Sequence, residues 1–455
     1  MQIDKVVKSQ KEFFFNNNTK PISFRIEQLK RIKKLIQQNE DVLYEAIYKD
    51  LQKSKFETYS SELSLIYHEI NLAIKKIKKW SKRKRVATNF ANFPAKSFIV
   101  PEPLGNTLII APWNYPIQLA FLPAIASISA GNTVIIKPSE MTANCSKAIA
   151  QIINTNFDSN YFHVIEGGIP ETTLLLEQKF DKIFFTGSTN VGKIVYQAAA
   201  KNLTPVILEL GGKSPTFILK DCNIKMTAKR LVWSKFFNAG QTCVAPDYIL
   251  VDKTIEAEIL EAIKLEIKMH YSEDKVSDNY NQIINDLHFN RLTKLIPKKN
   301  IYYGGTSNIE ERLINPTVLR NIEIDDEIMK NEIFGPLLPV ISYKNINTAI
   351  KYVKEKEKPL SCYIYGKNKK VINKILNEFS FGSGAINESV MQLTNSNLPF
   401  GGVGSSGFGS YHGEFGFKAF SHYKSILSKP TWFELNTKYS PYTKSKFSLL
   451  KRILS

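Results

Sequence analysis

The chain has 455 residues, 43% of them hydrophobic and 11% aromatic, and its 61 Lys and Arg against 42 Asp and Glu leave a formal net charge of +19. That length exceeds one ordinary hydrophobic core and predicts two or three domains, and the composition excludes a disordered chain. Four widely spaced cysteines, Cys145, Cys222, Cys243 and Cys362, form no CxxC or Cys/His cluster, which argues against a zinc centre or a disulfide scaffold and for a reducing compartment.

The opening MQIDKVVKSQKEFFFNNNTK has no apolar core of a secretory leader. In chain order, residues 23–38 place Ile26, Leu29, Ile32 and Ile36 on one helical face. Asn39, followed by Glu40 and Asp41, predicts an N-cap and acidic first turn for a second helix to about Leu51. A third helix is expected over 62–79. It leads into IKKIKKWSKRKR, 74–85, with eight basic residues. Ile70, Ile74, Ile77 and Trp80 keep helical spacing through this region, so the charges read as one solvated face. No nucleic-acid-binding module accompanies them, and nucleic acid is not an expected partner. From Arg85 the chain reads as extended and proline-punctuated.

From Asn106 the pattern alternates. Short apolar runs at 107–110, 133–136, 162–164, 182–185 and 206–208 have helix-compatible segments between most of them, which predicts a parallel sheet of the doubly wound α/β class. The apolar stretch 117–136 is broken by Gln118, Pro123, Gly131 and Asn132 and reads as core, not as a membrane span. Strands are expected again at 216–219, 248–251, 301–303, 316–319, 337–341 and 362–365, with helices to about Phe237 and over 255–269. This second α/β domain begins at the Gly211-Gly212 pair. The tail, 399–422, returns to glycine and aromatics before a basic end, KSKFSLLKRILS.

In such sheets ligands gather at the carboxyl ends of the strands. The residues there are APWNYP (111–116), KPSE (137–140), TGSTNVGK (186–193) and ELGGKSP (209–215). GSTNVGK fits a phosphate-cradling loop except that Ile194 stands where Ser or Thr must hold magnesium. What survives is a glycine-bearing turn opening a helix whose N-terminus can face a pyrophosphate. GGVGSSGFG, 401–409, reads as a turn-rich loop. Glu209, at a buried strand end, is either paired with a lysine or kept as a base whose pKa burial raises. Asn114 offers an amide donor. Cys243, in FFNAGQTCVAPDY (236–248), is a loop thiol that can face the same cleft.

Together these motifs resemble the NAD(P)-dependent aldehyde dehydrogenases over nearly the whole chain. PWNYP, KPSE, FTGSTNVG, LELGGKSP, GQTC, EIFGP (332–336) and PFGGVGSSG occur in the family's order and spacing. The short amino terminus and the ending SYHGEFGFKAFSHYKS are similar to the class 3 and fatty aldehyde dehydrogenase branch, except at Glu414 and Lys418. The resemblance implies an NAD(P)-binding domain over 1–84 and 101–208, a catalytic domain over 209–390, a small oligomerisation arm from 85–100 and 391–430, and a basic tail, 431–455. It implies Cys243 as nucleophile, Glu209 as general base and Asn114 as oxyanion donor. Lys137 and Glu140 would contact the adenosine ribose, and Gly187, Ser188 and Gly192 the pyrophosphate, with Val191 packing under the cofactor. Glu332 would contact the nicotinamide ribose, with Phe334 nearby.

The implied activity is oxidation of an aldehyde to the acid with NAD or NADP, through a Cys243 thioester and without metal. Glu140 would repel a 2′-phosphate and Lys137 would offset it. Long aliphatic or aromatic aldehydes, a homodimer and a cytoplasmic location are expected, with peripheral contact between the basic tail and an anionic membrane. A cysteine hydrolase or acyl transferase without net redox, needing no nicotinamide, is the alternative; a silent binding protein on this fold is another.

Overall fold

Runs of apolar, mostly β-branched residues buried on both faces suit parallel strands covered by helices. In the computed structural model, which describes residues 3–271 and 280–454, they pair in that way. The first sheet runs in the spatial order Gly407–Phe408, Val206–Leu210, Lys182–Gly187, Asn106–Ile110, Thr133–Lys137 and Phe162–Val164. All pairs are parallel except the first, in which Gly407 lies opposite Glu209. The order reverses between Asn106–Ile110 and Lys182–Gly187. This is the switch point, where crevices open in doubly wound sheets. PWNYP leaves one of these two strands and GSTNVG the other.

Helix Gln118–Ala130 is buried along its whole length and carries Pro123 in its interior. No helix among the described residues is long and apolar enough to cross a membrane. The amino-terminal helices Ile22–Gln38, Glu40–Leu51 and Ser64–Trp80 pack Leu29, Ile32, Ile36, Ile47, Ile66 and Ile70 into the same core.

The second sheet has seven strands, in the order Ile301–Tyr303, Thr317–Leu319, Leu337–Tyr343, Tyr248–Asp252, Pro215–Ile218, Ser361–Tyr365 and Ser383–Ile386, parallel after the first pair. It has its own core, built on Phe217, Ile249, Val251, Val318, Leu338 and Tyr363. A third, antiparallel sheet joins Lys84–Val86, Lys96–Pro103 and Ser421–Ser428.

One local expectation needs correction. Asn39 does not cap the second helix: its side-chain amide donates back to the Leu35 carbonyl at 2.8 Å. The segment 62–79 is helical as expected, with its first residues in a π turn, Tyr59–Leu63, that runs into Ser64–Trp80 and leaves Glu62 buried. The stretch after Arg85 is extended as expected, and its strand Lys96–Pro103 pairs along its whole length with Ser421–Ser428.

Candidate active site

Cys243 follows a backbone turn that most residues avoid. Asn238, Ala239 and Gly240 hold φ of 53°, 51° and 71°. For the two non-glycine residues this left-handed conformation costs about 1–2 kcal/mol each. At Gly240 a side chain would overlap the Gly335 carbonyl oxygen. Buried amides hold the turn. Gln241 Nε2 donates to Gln282 O at 3.0 Å, and its Oε1 accepts the Ile284 N–H at 3.0 Å. The Thr242 and Tyr115 hydroxyls lie 2.6 Å apart and join this loop to PWNYP.

Asn114 reaches the same loop: its Nδ2 donates to the Gln241 carbonyl at 3.1 Å, which spends one of its two amide protons. Its backbone carbonyl accepts Asn238 Nδ2 at 2.9 Å and Lys53 Nζ at 3.4 Å. Lys53 is buried, paired with Glu62 at 2.8 Å and placed over the Tyr115 ring at 4.3 Å. Glu62 Oε2 in turn accepts the Ile117 and Gln118 N–H groups at 2.9 and 3.1 Å, a carboxylate at a helix N-terminus.

Glu209 is 3% exposed, and neither carboxylate oxygen has a hydrogen-bond partner. Burial without compensation pushes its pKa well above the usual carboxylate range. Of the two readings open from sequence, lysine pairing is thus the one the geometry does not provide. Burial also raises Cys243, to about 12; the Glu332 and Glu209 carboxyls add to this, while the N–H groups of Cys243 and Val244 pull the other way. Glu332 rises to about 8, first through burial and then through Asp247, against Gly212 N–H, Lys213 and Arg291. A thiol and two carboxyls therefore share one low-dielectric space that resists negative charge.

The EIFGP loop is fixed by Lys213 of LELGGKSP. Its Nζ bonds Asp247 Oδ2 at 2.6 Å and the carbonyls of Ile328 and Asn331 at 2.9 Å each. Asp247 Oδ1 accepts the Ile333 N–H at 2.9 Å. Phe334, at φ 51°, meets Trp113 edge-on at 5.3 Å. The Glu332 carboxyl closes over Gly211, leaving no room for a Cβ there.

The expected nucleotide cradle fits a dinucleotide on three observations. Ser188 caps helix Thr189–Ala200 by accepting the Val191 N–H at 3.4 Å, so the turn opens directly into a helix N-terminus of the kind that faces a phosphate. A Cβ on Gly192 would come within 2.6 Å of Leu210, so helix and strand approach closely under the turn, while the Val191 side chain remains 45% exposed. Gly187 meets Phe185 in the same way. Lys137 is buried, with Nζ 2.6 Å from the Pro138 carbonyl and 3.6 Å from the Glu140 carboxylate, which stands in solvent. Burial depresses the Lys137 pKa and Glu140 partly restores it.

Sequence reasoning misses Lys53, Glu57, Glu62, Asn238, Asp247 and Asn281, whose burial comes from elements far apart in the chain. All four cysteines are free thiols, and the described residues contain no group of acidic, His and Cys side chains fit for a metal.

A profile for the aldehyde dehydrogenase family matches residues 1–426. The 4,4'-diaponeurosporen-aldehyde dehydrogenase of Staphylococcus aureus is 48% identical over 444 residues, covering 97% of this chain and 96% of that protein. The dimeric NADP-preferring aldehyde dehydrogenase of Mus musculus is 42% identical over 93% of this chain and 94% of its own. The substrate-bound state of Staphylococcus aureus AldH matches the fold with a TM-score of 0.97 and 46% identity, over 100% of this chain and 99% of that one.

Proposed function

The chain belongs to the aldehyde dehydrogenase family, and from that premise we propose how its own residues carry out the oxidation of an aldehyde to the carboxylic acid with NAD or NADP. The observation that carries the reading is the buried Glu209 carboxyl, without a hydrogen bond, acting on the Cys243 thiol. Cys243 gives its thiol proton to the Glu209 carboxylate, which passes it to solvent, and the sulfur adds to the aldehyde carbon. The second Asn114 amide proton and the Cys243 N–H receive the oxyanion, and losing one such donor costs about 3–4 kcal/mol in the transition state. The cofactor, when bound, supplies the hydride acceptor and a positive ring. Glu209 then takes a proton from the water that releases the acid from the thioester. Lys137 and Glu140 serve the adenosine ribose, Gly187, Ser188, Val191 and Gly192 the pyrophosphate turn, and Glu332 with Phe334 the nicotinamide end. The catalytic unit is 209–390, and 1–84 with 101–208 bind the nucleotide.

The substrate is a long apolar or aromatic aldehyde. Trp233 and Phe237 lie with ring centroids 5.2 Å apart, tilted to each other, just before the catalytic turn. Phe56 and Tyr59, 84% and 47% exposed, flank the helix whose Glu57 bonds Asn238. The relative's diaponeurosporenal substrate is of the same apolar kind. Four free thiols support a cytoplasmic setting. The eight-residue edge strand Ser421–Ser428, together with the relative described as dimeric, supports a homodimer through the arm.

Cys243→Ser should lower kcat by about 10⁴-fold or more with cofactor affinity kept. Glu209→Gln should slow deacylation about 10²-fold while thioester still forms. Rapid-quench mass spectrometry on aldehydes of increasing chain length separates these. Full turnover by Cys243→Ser, or a preference for the shortest aldehydes, overturns the corresponding part.

A further inference from the structure

The left-handed turn before Cys243 does not hold itself. Its outer anchor is Glu57, on the short amino-terminal helix Lys55–Thr58. One oxygen, Oε1, accepts the Asn238 backbone N–H at 3.0 Å and Asn281 Nδ2 at 2.9 Å. The same Asn281 amide nitrogen donates to Asn238 Oδ1 at 2.8 Å. Asn238 Nδ2 then donates to Asn114 O at 2.9 Å and to Gln241 O at 3.2 Å. The Gln241 carbonyl is the acceptor that orients the Asn114 side-chain amide. A buried carboxyl from outside the catalytic unit thus heads a chain of hydrogen bonds that reaches both the Cys243 loop and the Asn114 amide.

We propose that Glu57 is a positioning residue that sets the Asn238–Gly240 turn and, through it, the placement of the Cys243 thiol and the Asn114 amide. This rests on the reading of those two residues as nucleophile and oxyanion donor. A turn of consecutive left-handed residues persists only where its surroundings over-determine it. Here the Glu57 carboxyl and the Asn281 amide fix it from outside, beside the Gln241 amide that holds it from within. The charged and titratable groups around Glu57 are Lys53, Glu62, Tyr115, Tyr271 and Tyr280. Burial raises Glu57 to about 7, Lys53 and the bonds from Asn281 and Asn238 pulling it back. Its stronger, ionised acceptor form is therefore gained near neutrality.

The test is acyl-enzyme formation on full-length protein, read as the burst of reduced cofactor and as the mass of a Cys243 adduct, from pH 5.5 to 9. Glu57→Ala should slow the burst about 100-fold with cofactor affinity unchanged. Glu57→Gln, which keeps an acceptor but loses the charge, should slow it about 10-fold and remove an inflection near pH 7. Asn281→Ala, cutting the other anchor, should also slow it about 10-fold, which covers the case in which Glu57→Ala fails to fold. A burst within twofold of wild type in the folded variants, even with a lowered Tm, overturns the proposal by reducing Glu57 to scaffold. A wild-type protein that forms no adduct at Cys243 overturns the underlying reading, and this inference with it.

Discussion

Glu69 shows how far one side chain's setting departs from its sequence context. It lies on helix Ser64–Trp80, yet it is 6% exposed, and its Oε1 accepts the Gly413 N–H at 2.8 Å from the far end of the chain. Burial raises its pKa from 4.5 to about 7, with the Gly413 bond opposing. A folded pKa above the unfolded one means that the native state binds the proton more tightly. The stability this contributes is complete below pH 4.5 and lost as pH rises through 7. Glu69→Gln carries no such dependence. Measured by urea unfolding, it should gain on wild type between pH 5 and pH 8, by up to about 3 kcal/mol. An unchanged difference across that range would place Glu69 in an ordinary setting. Residues of this kind are not legible in the sequence. Glu57, Glu62 and Glu69 read as the polar side of amphipathic helices, and only distant segments bury them: Asn238 and Asn281 against Glu57, Ile117 and Gln118 against Glu62, and Gly413 against Glu69. Cys243, Glu209 and Asn114 are legible because each follows an apolar run or motif at a strand end or in a loop, although their mutual geometry is not.

At the scale of elements, the strand Gly407–Phe408 closes the edge beside Glu209. Gly407 has φ 124°, and a Cβ on it would overlap the Leu208 carbonyl oxygen. Gly407→Ala should therefore destabilise by about 3 kcal/mol and slow deacylation as the Glu209 strand shifts. Gly404→Ala, where the nearest atom is the mobile Lys358 side chain at 3.3 Å, should cost about 1 kcal/mol, mostly from its φ of 67°. Paired thermal melts and single-turnover assays check both; equal losses would remove the argument from close approach. The sheets themselves are largely legible. Val206–Leu210 and Asn106–Ile110 are buried at every position, and the apolar runs Val206-Ile207-Leu208 and Leu108-Ile109-Ile110 mark them. Lys96–Pro103 and Ser421–Ser428 are not. Their positions are half-buried or exposed, prolines interrupt the first, and their partners are more than 300 residues apart.

For the whole molecule, the charge of +19 is unevenly placed. Residues 435–455 contain Lys438, Lys444, Lys446, Lys451 and Arg452 and no acid. Helix Lys444–Leu454 lies near the turn Phe90–Asn92, and Phe90, Phe93, Tyr442 and Phe447 are all more than half exposed. A basic, aromatic surface of this kind suits an anionic membrane interface, at about 1 kcal/mol per cation near the surface. Removing residues 430–455 should leave kcat and the particle mass by light scattering unchanged. Binding to phosphatidylserine vesicles should fall at least about 10-fold, and salt should abolish what the full chain shows. Equal sedimentation of both forms with vesicles would dismiss the tail as an anchor. At the inner sequence departures, Glu414 and Lys418 pair with each other at 2.8 Å and so neutralise one another within the tail helix.

The late position of Gly407–Phe408 also governs when the protein becomes an enzyme. During synthesis the two large sheets can assemble while the strand carrying Glu209 still has a bare edge, because its cover follows Ser383–Ile386, the last strand of the second sheet. A ribosome that stalls before Gly407 releases a chain with most of its core and an adhesive flank. The same few residues thus complete the setting of Glu209 and protect its strand from mispairing.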